Sequence, residues 1–253
     1  MNYRIVIPSR TRPQLMKNLL EKIPTATIVV HESEKQEYAK VVPKKQLKTH
    51  NAYGIASIRQ WILDNFNEKT IVMVDDDFNA IYCNVGSKQR KYTDWQSIKQ
   101  VIENSINITR DLGISLFTWE RRANPMWFKP HDPIQFVEGY ALSACGINTK
   151  EIKFDQNLSM GMEDTDYALQ TLLKYRVIYT DTRFYWDFGV VGRNSGGLQG
   201  IRTKQNMTSG LKYFKQKWGK WVKTGNKRKV NALGKTRFSE GFRILVKRRQ
   251  PTA

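Results

Sequence analysis

The chain has 253 residues, 40% of them hydrophobic and 26% charged, with a formal net charge of +19. That length holds one large domain, or a domain with an appendage, and buries a full core. No apolar run is long enough to cross a bilayer and "MNYRIVIPSR" leads straight into a strand-like stretch, so no membrane contact, no signal peptide and a cytoplasmic location are expected.

In chain order, "YRIVIP" predicts a short apolar strand, closed by Pro8 and the polar turn "SRTRP". "PQLMKNLLEKI" has helical spacing, with Leu15, Leu19, Leu20 and Ile23 on one stripe. "TATIVVH" is a second strand, "GIASIRQWILDNF" a helix and "TIVMVD" a third strand. Alternating strands and helices with continuous apolar runs indicate an α/β layer with a largely parallel sheet. "DWQSIKQVIENSINITRDLG" reads as a long amphipathic helix stopping at Gly113, and "ISLFTW" as a strand. An irregular Pro-rich stretch, 125–133, precedes a predicted strand "IQFVEGYALSACGIN". "EDTDYALQTLLKY" is a helix opened by acids, "RVIYTDTRFYWDF" a strand pair, and "GVVGRNSGGLQG" a glycine-rich loop. Cys83 and Cys145 make no metal or disulfide framework and read as buried free thiols.

The remainder is strongly biased. Residues 201–253 hold 16 Lys or Arg and a single acid, Glu240, so +15 of the net charge lies there and +4 on residues 1–200. Such asymmetry points to a polyanionic partner, nucleic acid before membrane. Tyr213, Phe214, Trp218, Trp221 and Phe242 interleave with the charges, which favours an ordered segment over a disordered tail. With no internal repeat and no Ser/Pro linker, the expected organisation is a domain over 1–200 and a basic C-terminal extension over 201–253.

The sharpest local signal is "IVMVDDDF", where an apolar strand ends in Asp75, Asp76 and Asp77. Ligands of open α/β sheets collect beyond the carboxyl ends of the strands. On an extended backbone Asp75 and Asp77 point the same way, and a divalent ion with hard-oxygen preference would relieve their repulsion while holding a diphosphate. The bland alternative is an acidic turn in solvent. The triplet by itself does not separate sugar transfer from phosphoryl transfer.

Four spaced motifs, "IVIPSRTRP", "GIASIR", "IVMVDDDF" and "MEDTDYALQTLLKY", together resemble a GT-A glycosyltransferase. They are most similar to the bacteriophage TET-associated glycosyltransferases, which are linked to modified pyrimidines in DNA. The resemblance implies a GT-A, Rossmann-like mixed sheet, mainly parallel and flanked by helices, and a divalent metal (Mn²⁺ or Mg²⁺) with a nucleotide-sugar donor, UDP-sugar foremost. It implies that Pro8, Ser9, Arg10 and Arg12 hold the nucleotide in the first strand-to-helix turn. Glu32 would meet the base or ribose, with His31 a neighbour, and Arg59 would reach the nucleotide. Asp75 and Asp76 belong to the donor site, and Asp77 with Asp75 to the metal. Asp164 is the expected base for the acceptor hydroxyl, with Glu163 the alternative and Asp166 a helix-capping acid. One departure is visible: many GT-A enzymes take a metal-binding histidine from a late loop, and no histidine follows His131. Asp187 in "YWDFG", or water, then fills that place. Gly196 and Gly197 read either as a loop closing over the donor or as a plain turn, and Trp186 as a stacking platform or a core residue.

A GT-A core leaves the acceptor open. The basic extension favours DNA, double-stranded, through Lys212, Lys215, Lys217, Lys220, Lys227, Arg228 and Lys229. Hydroxymethylated cytosine is the natural acceptor, since an ordinary pyrimidine carries no suitable hydroxyl. For a phage-encoded chain the compartment is the infected bacterial cytoplasm. Two rivals stand: transfer to a cell-surface glycan or lipid-linked acceptor, and a metal-dependent nuclease or DNA-binding protein built on the same acids.

Overall fold

The computed structural model describes residues 2–85, 88–120, 123–136, 142–158, 161–189, 197, 204–230 and 236–244. Strand β1 (Tyr3–Pro8), helix α1 (Met16–Lys22), β2 (Thr27–His31), α2 (Lys35–Ala39) and β3 (Leu47–His50) open the chain. Then come α3 (Ile55–Asn65), β4 (Thr70–Val74), β5 (Ala80–Val85), β6 (Lys88–Tyr92), α4 (Trp95–Asp111) and β7 (Leu116–Glu120). After β8 (Ile134–Gln135), β9 (Ala144–Ile147), α5 (Glu163–Tyr175) and β10 (Tyr179–Asp187), the basic segment forms α6 (Lys204–Trp218) and a hairpin of β11 (Val222–Val230) and β12 (Thr236–Ile244).

The main sheet runs β3-β2-β1-β4-β9-β7-β10-β5-β6, with β8 against β10. β3, β2, β1 and β4 are parallel, and so are β7 and β10. β9 runs antiparallel between β4 and β7. All five residues of β4 are buried, as a strand covered on both faces requires. Alternation along it feeds two cores. Ile71 and Met73 face the side with α3, α5 and α6, while Val72 and Val74 face the side with α1, α2 and α4. The result is the three-layer mixed sheet expected of a GT-A domain. At the centre, Gly146 in β9 leaves room for the Phe117 ring, which any Cβ there would strike.

Some expectations shift. The predicted strand over 134–148 is two short strands apart in the sheet, β8 on β10 and β9 between β4 and β7. "RVIYTDTRFYWDF" is a single strand whose pairing with β7 slips between Asp181 and Tyr185, so one continuous strand spans what read as two. The helix expected from Pro13 begins as one 3-10 turn, Pro13–Leu15, before α1. Cys145 is buried and Cys83 partly so, both as free thiols.

The start of the basic extension is held in the main core. Phe214 is fully buried and Trp218 nearly so, in one cluster with Leu158, Tyr167 and Ala168. Among the described residues no helix is long and apolar enough to cross a membrane.

Candidate active site

Every motif converges on the carboxyl edge of β1 and β4. Asp75 prolongs the β4–β9 ladder through its N–H to the Ser143 carbonyl at 2.8 Å, and then the chain turns. The three acids therefore occupy a turn rather than an extended run, with Arg12 shared by two of them and Arg59 on the third. Asp76 is the buried one, at 7% exposure. It accepts from Ser9 Oγ at 2.6 Å and from Arg12 Nη1 at 2.6 Å. Asp77 lies 3.6 Å from the same Arg12 nitrogen. Asp75 accepts from Arg59 Nη2 at 3.3 Å.

The first turn is fixed from below by a residue the sequence reading passed over. The Tyr38 hydroxyl of α2 lies 2.7 Å from Ser9 Oγ and accepts the Arg12 N–H at 2.9 Å. Burial pushes this phenol up to about 12, so it stays protonated. Its one signal was a lone aromatic in the polar stretch "EKQEYAK". Thr11 sits at φ 53, a left-handed conformation rare for a β-branched residue, while Glu34 receives its N–H at 2.8 Å. Arg10 stays partly exposed and lies 5.8 Å over the ring of Tyr53, itself 58% exposed. Tyr53, also missed, stands beside Arg10 at the mouth of the first turn. Pro8 ends β1 and is partly exposed. Glu32, at the end of β2, is exposed and paired with Lys35 at 2.9 Å. His31 packs edge-on to His50 at 5.8 Å. Burial, with His31 beside it, lowers His50 to about 4, so that ring is neutral.

The second half of the site is the opening of α5. Met162 precedes it in a left-handed conformation, φ 73, and turns Glu163 and Asp164 inward. Glu163 is 5% exposed and accepts from Arg59 Nη1 at 3.2 Å. Arg59 is thus a buried bridge to Glu163, Asp75 and the Leu142 carbonyl, and not a surface arginine of an amphipathic helix. Burial opposes its charge, but Glu163 and Asp75 outweigh that and raise it. Asp164 is half-buried, and one carboxylate oxygen takes the Thr165 N–H at 2.7 Å.

Electrostatics single out the two less buried acids of the triplet. Burial raises Asp75, with Asp76 adding repulsion against the pull of Arg59. Burial and then Asp75 and Asp76 raise Asp77 to about 6. Under-neutralised, hard oxygen donors of this kind fit a divalent cation. Among the described residues no group of three or more His, Cys, Asp or Glu is arranged to hold a metal alone. The donor set matches an ion that takes one or two carboxylates and completes its shell from phosphate and water.

The remaining expected residues divide between the edge of this site, the core and the basic segment. The Asp187 carboxylate accepts from the Gly189 N–H at 2.8 Å and the Tyr185 hydroxyl at 3.3 Å. It belongs to the end of β10, where its backbone carbonyl accepts the Asn79 N–H at 2.8 Å, two residues after Asp77. Trp186 is core, stacked on Trp119 with centroids 4.5 Å apart. Gly197 donates its N–H to the Arg10 carbonyl at 3.0 Å, while Gly196 lies outside the described residues. Lys217 is committed internally, 2.6 Å from Asp155 and 2.7 Å from fully buried Asp166. Asp166 also accepts from Trp218 and Gln170, so it anchors α6 besides opening α5. Lys212 and Lys220 are exposed and Lys215 partly so, while Lys227, Arg228 and Lys229 lie on β11.

Among solved structures, mannosyl-3-phosphoglycerate synthase from Rubrobacter xylanophilus aligns with a TM-score of 0.50 at 12% identity, covering 96% of this chain and 86% of that one. Glucosyl-3-phosphoglycerate synthase from Mycobacterium tuberculosis, solved with Mn²⁺, UDP and glucosyl-3-phosphoglycerate, aligns at 0.48 and 10% identity, covering 97% and 90%. TarS 1-349 from S. aureus aligns at 0.44 and 13%, over 73% of this chain but only 60% of its own. No curated protein sequence matches. A model of the TET-associated glycosyltransferases, by contrast, matches residues 3–196, which takes in the first turn, the acid triplet and the opening of α5. The chain belongs to that family of glycosyltransferases, with a fold like that of the synthase from Rubrobacter xylanophilus.

Proposed function

We propose that the protein moves a sugar from a nucleotide-sugar, UDP-sugar foremost, to the hydroxymethyl group of 5-hydroxymethylcytosine in double-stranded DNA. The observation that carries this is the Arg59 bridge, which ties Asp75 on the donor side to Glu163 in the turn beside Asp164. One buried cation thereby sets the spacing between the acids beside a diphosphate and the acid that meets an acceptor.

In this reading the first turn binds the nucleotide. Arg10 and the exposed Tyr53 meet its base end, Glu32 the ribose or base edge, and Ser9 and Arg12 hold Asp76 so that the turn keeps its shape. Asp77 and Asp75 hold a divalent cation, which when bound neutralises charge on the departing diphosphate. Asp164, with an oxygen not taken by Thr165, accepts the hydroxyl proton as the acceptor oxygen bonds to the anomeric carbon and the sugar–phosphate bond breaks. Glu163 is spent on Arg59, which favours Asp164 as the base. The basic extension supplies the grip on the polymer, with Lys217 left to its internal role.

The test is incubation with hydroxymethylcytosine-containing duplex and a panel of nucleotide-sugars, followed by mass spectrometry of the digested nucleosides. A hexose or pentose added to hydroxymethylcytosine, dependent on donor, is expected. Cutting of the DNA with metal and no donor would establish the nuclease rival instead, and transfer only to lipid-linked or glycan acceptors would replace DNA as the acceptor.

A further inference from the structure

We propose that the C-terminal hairpin is a two-faced ribbon whose basic face enters the major groove of duplex DNA. This rests on the DNA-acceptor reading and adds to it the element, the face and the groove. The register runs from Val222 opposite Ile244 to Val230 opposite Thr236 without a slip. Directly opposed residues share a face, and successive residues alternate between faces. One face therefore carries Lys223 with Arg243, Lys227 with Ser239, Lys229 with Arg237, and the glycine pair Gly225 and Gly241. The other carries Val222 with Ile244, Phe242, Phe238 and the segment's single acid, Glu240. Of the basic residues on the two paired strands only Arg228 falls on this second face. The basic residues thus gather on one face of the register and the apolar ones on the other, with Asn226, Glu240 and Arg228 the charged or amide exceptions on the second.

The basic face is built at a cost. Like charges directly opposite one another destabilise a strand pair, and here Lys223 faces Arg243 and Lys229 faces Arg237 with no acid on that face. A row of phosphates on each side turns that repulsion into attraction. The dimensions fit: strands of nine residues span roughly 30 Å at about 3.3 Å per residue, close to one turn of B-form DNA at about 34 Å. A major groove about 12 Å wide admits a two-stranded ribbon, whereas the A-form RNA major groove is too deep and narrow. The paired glycines let the backbone approach closely at mid-ribbon. The root of the ribbon is also well placed, since Trp218, just before it, bonds to Asp166 in the turn that carries Asp164.

Neighbouring residues on opposite faces give a matched test. Lys227→Gln, Arg228→Gln and Lys229→Gln each remove one charge from β11. The full chain is titrated onto a fluorescent hydroxymethylcytosine duplex between about 50 and 200 mM salt, where each lost phosphate contact lowers the log–log salt slope by about 0.9. Lys227→Gln and Lys229→Gln are each expected to lower the slope by about one unit, and Arg228→Gln to leave it unchanged. Equal loss for all three, or loss confined to Arg228→Gln, overturns the ribbon while leaving DNA as the acceptor. An equal grip on duplex RNA overturns the groove assignment. Binding to phosphatidylserine-containing vesicles with none to duplex overturns both the ribbon and the acceptor reading.

Discussion

The indole Nε1 of Trp218 donates to Asp166 Oδ1 at 2.7 Å, inside a network that also holds Lys217 Nζ at 2.7 Å from the same oxygen. Asp166 is fully buried, so the indole and the ammonium together satisfy a carboxylate that water does not reach. Because Asp166 stands one turn into α5, α6 holds the acid-bearing end of that helix in place. Trp218→Phe keeps the ring and removes the donor. It should lower the unfolding free energy by about 1–3 kcal/mol, and reduce kcat several-fold with donor KM unchanged. Urea melts with steady-state kinetics check this, and a stability loss with intact kcat would mean that α6 only packs.

Asp77 sets a pH dependence whose sign follows from its position. Its folded value, about 6, lies above the ordinary 3.8 because burial and then Asp75 and Asp76 disfavour its charge. Between about 4 and 6 the folded protein holds more protons than the unfolded chain, so the metal-free protein loses stability as pH rises through that window. The loss is on the order of 2–3 kcal/mol. Asp77→Asn should flatten the profile and melt higher at neutral pH. In thermal-shift titrations Mn²⁺ should stabilise the parent protein above pH 6 and not this variant. Equal stabilisation of both would move the cation away from Asp77.

The paired acids at the head of α5 have separable jobs. Asp164 is half-buried and receives the Thr165 N–H on one oxygen, while Glu163 is buried against Arg59 at 3.2 Å. Asp164→Asn should leave folding and donor affinity intact and lower transfer by about 10²–10⁴-fold. Arg59→Met strands two carboxylates and should destabilise by about 3–5 kcal/mol. Glu163→Gln should melt lower yet keep transfer, since the amide oxygen still accepts from Arg59. Exchanged behaviour of Asp164→Asn and Glu163→Gln would exchange the roles.

Long periodic segments are legible in the sequence itself. α4 runs from the Asp94 cap, which accepts the Ser97 N–H at 2.8 Å, and ends where expected because its apolar stripe leaves little choice. α5 matched its motif residue for residue. β3, β5 and β6 were not legible. "KQRKY" is a mostly exposed edge strand with no apolar alternation, and its pairing with β5 is a tertiary fact. The site divides the same way. Motif and strand end located the acids, but the bond from Arg59 to Glu163, 104 residues away, depends on how α3 and α5 pack. Lys217 read as one more surface charge for the same reason, since Asp155 and Asp166 reach it only after α6 has docked.

Gly197 touches the donor side of the site through Arg12. Its φ of +64 favours glycine, and a Cβ there would come within 3.0 Å of Arg12 Nη2. Arg12 in turn holds Asp76 at 2.6 Å and Asp77 at 3.6 Å. Gly197→Ala therefore pays about 1 kcal/mol for the backbone and pushes the guanidinium against the acids. Donor KM should rise by about tenfold, equivalent to about 1.4 kcal/mol, with kcat changed far less. If the push acts through Arg12, the effect shrinks in an Arg12→Ala background, because two changes sharing one contact are not additive. Donor KM values for both singles and the double measure that coupling, and full additivity would mean that Gly197 acts on the nucleotide by a route that bypasses Arg12.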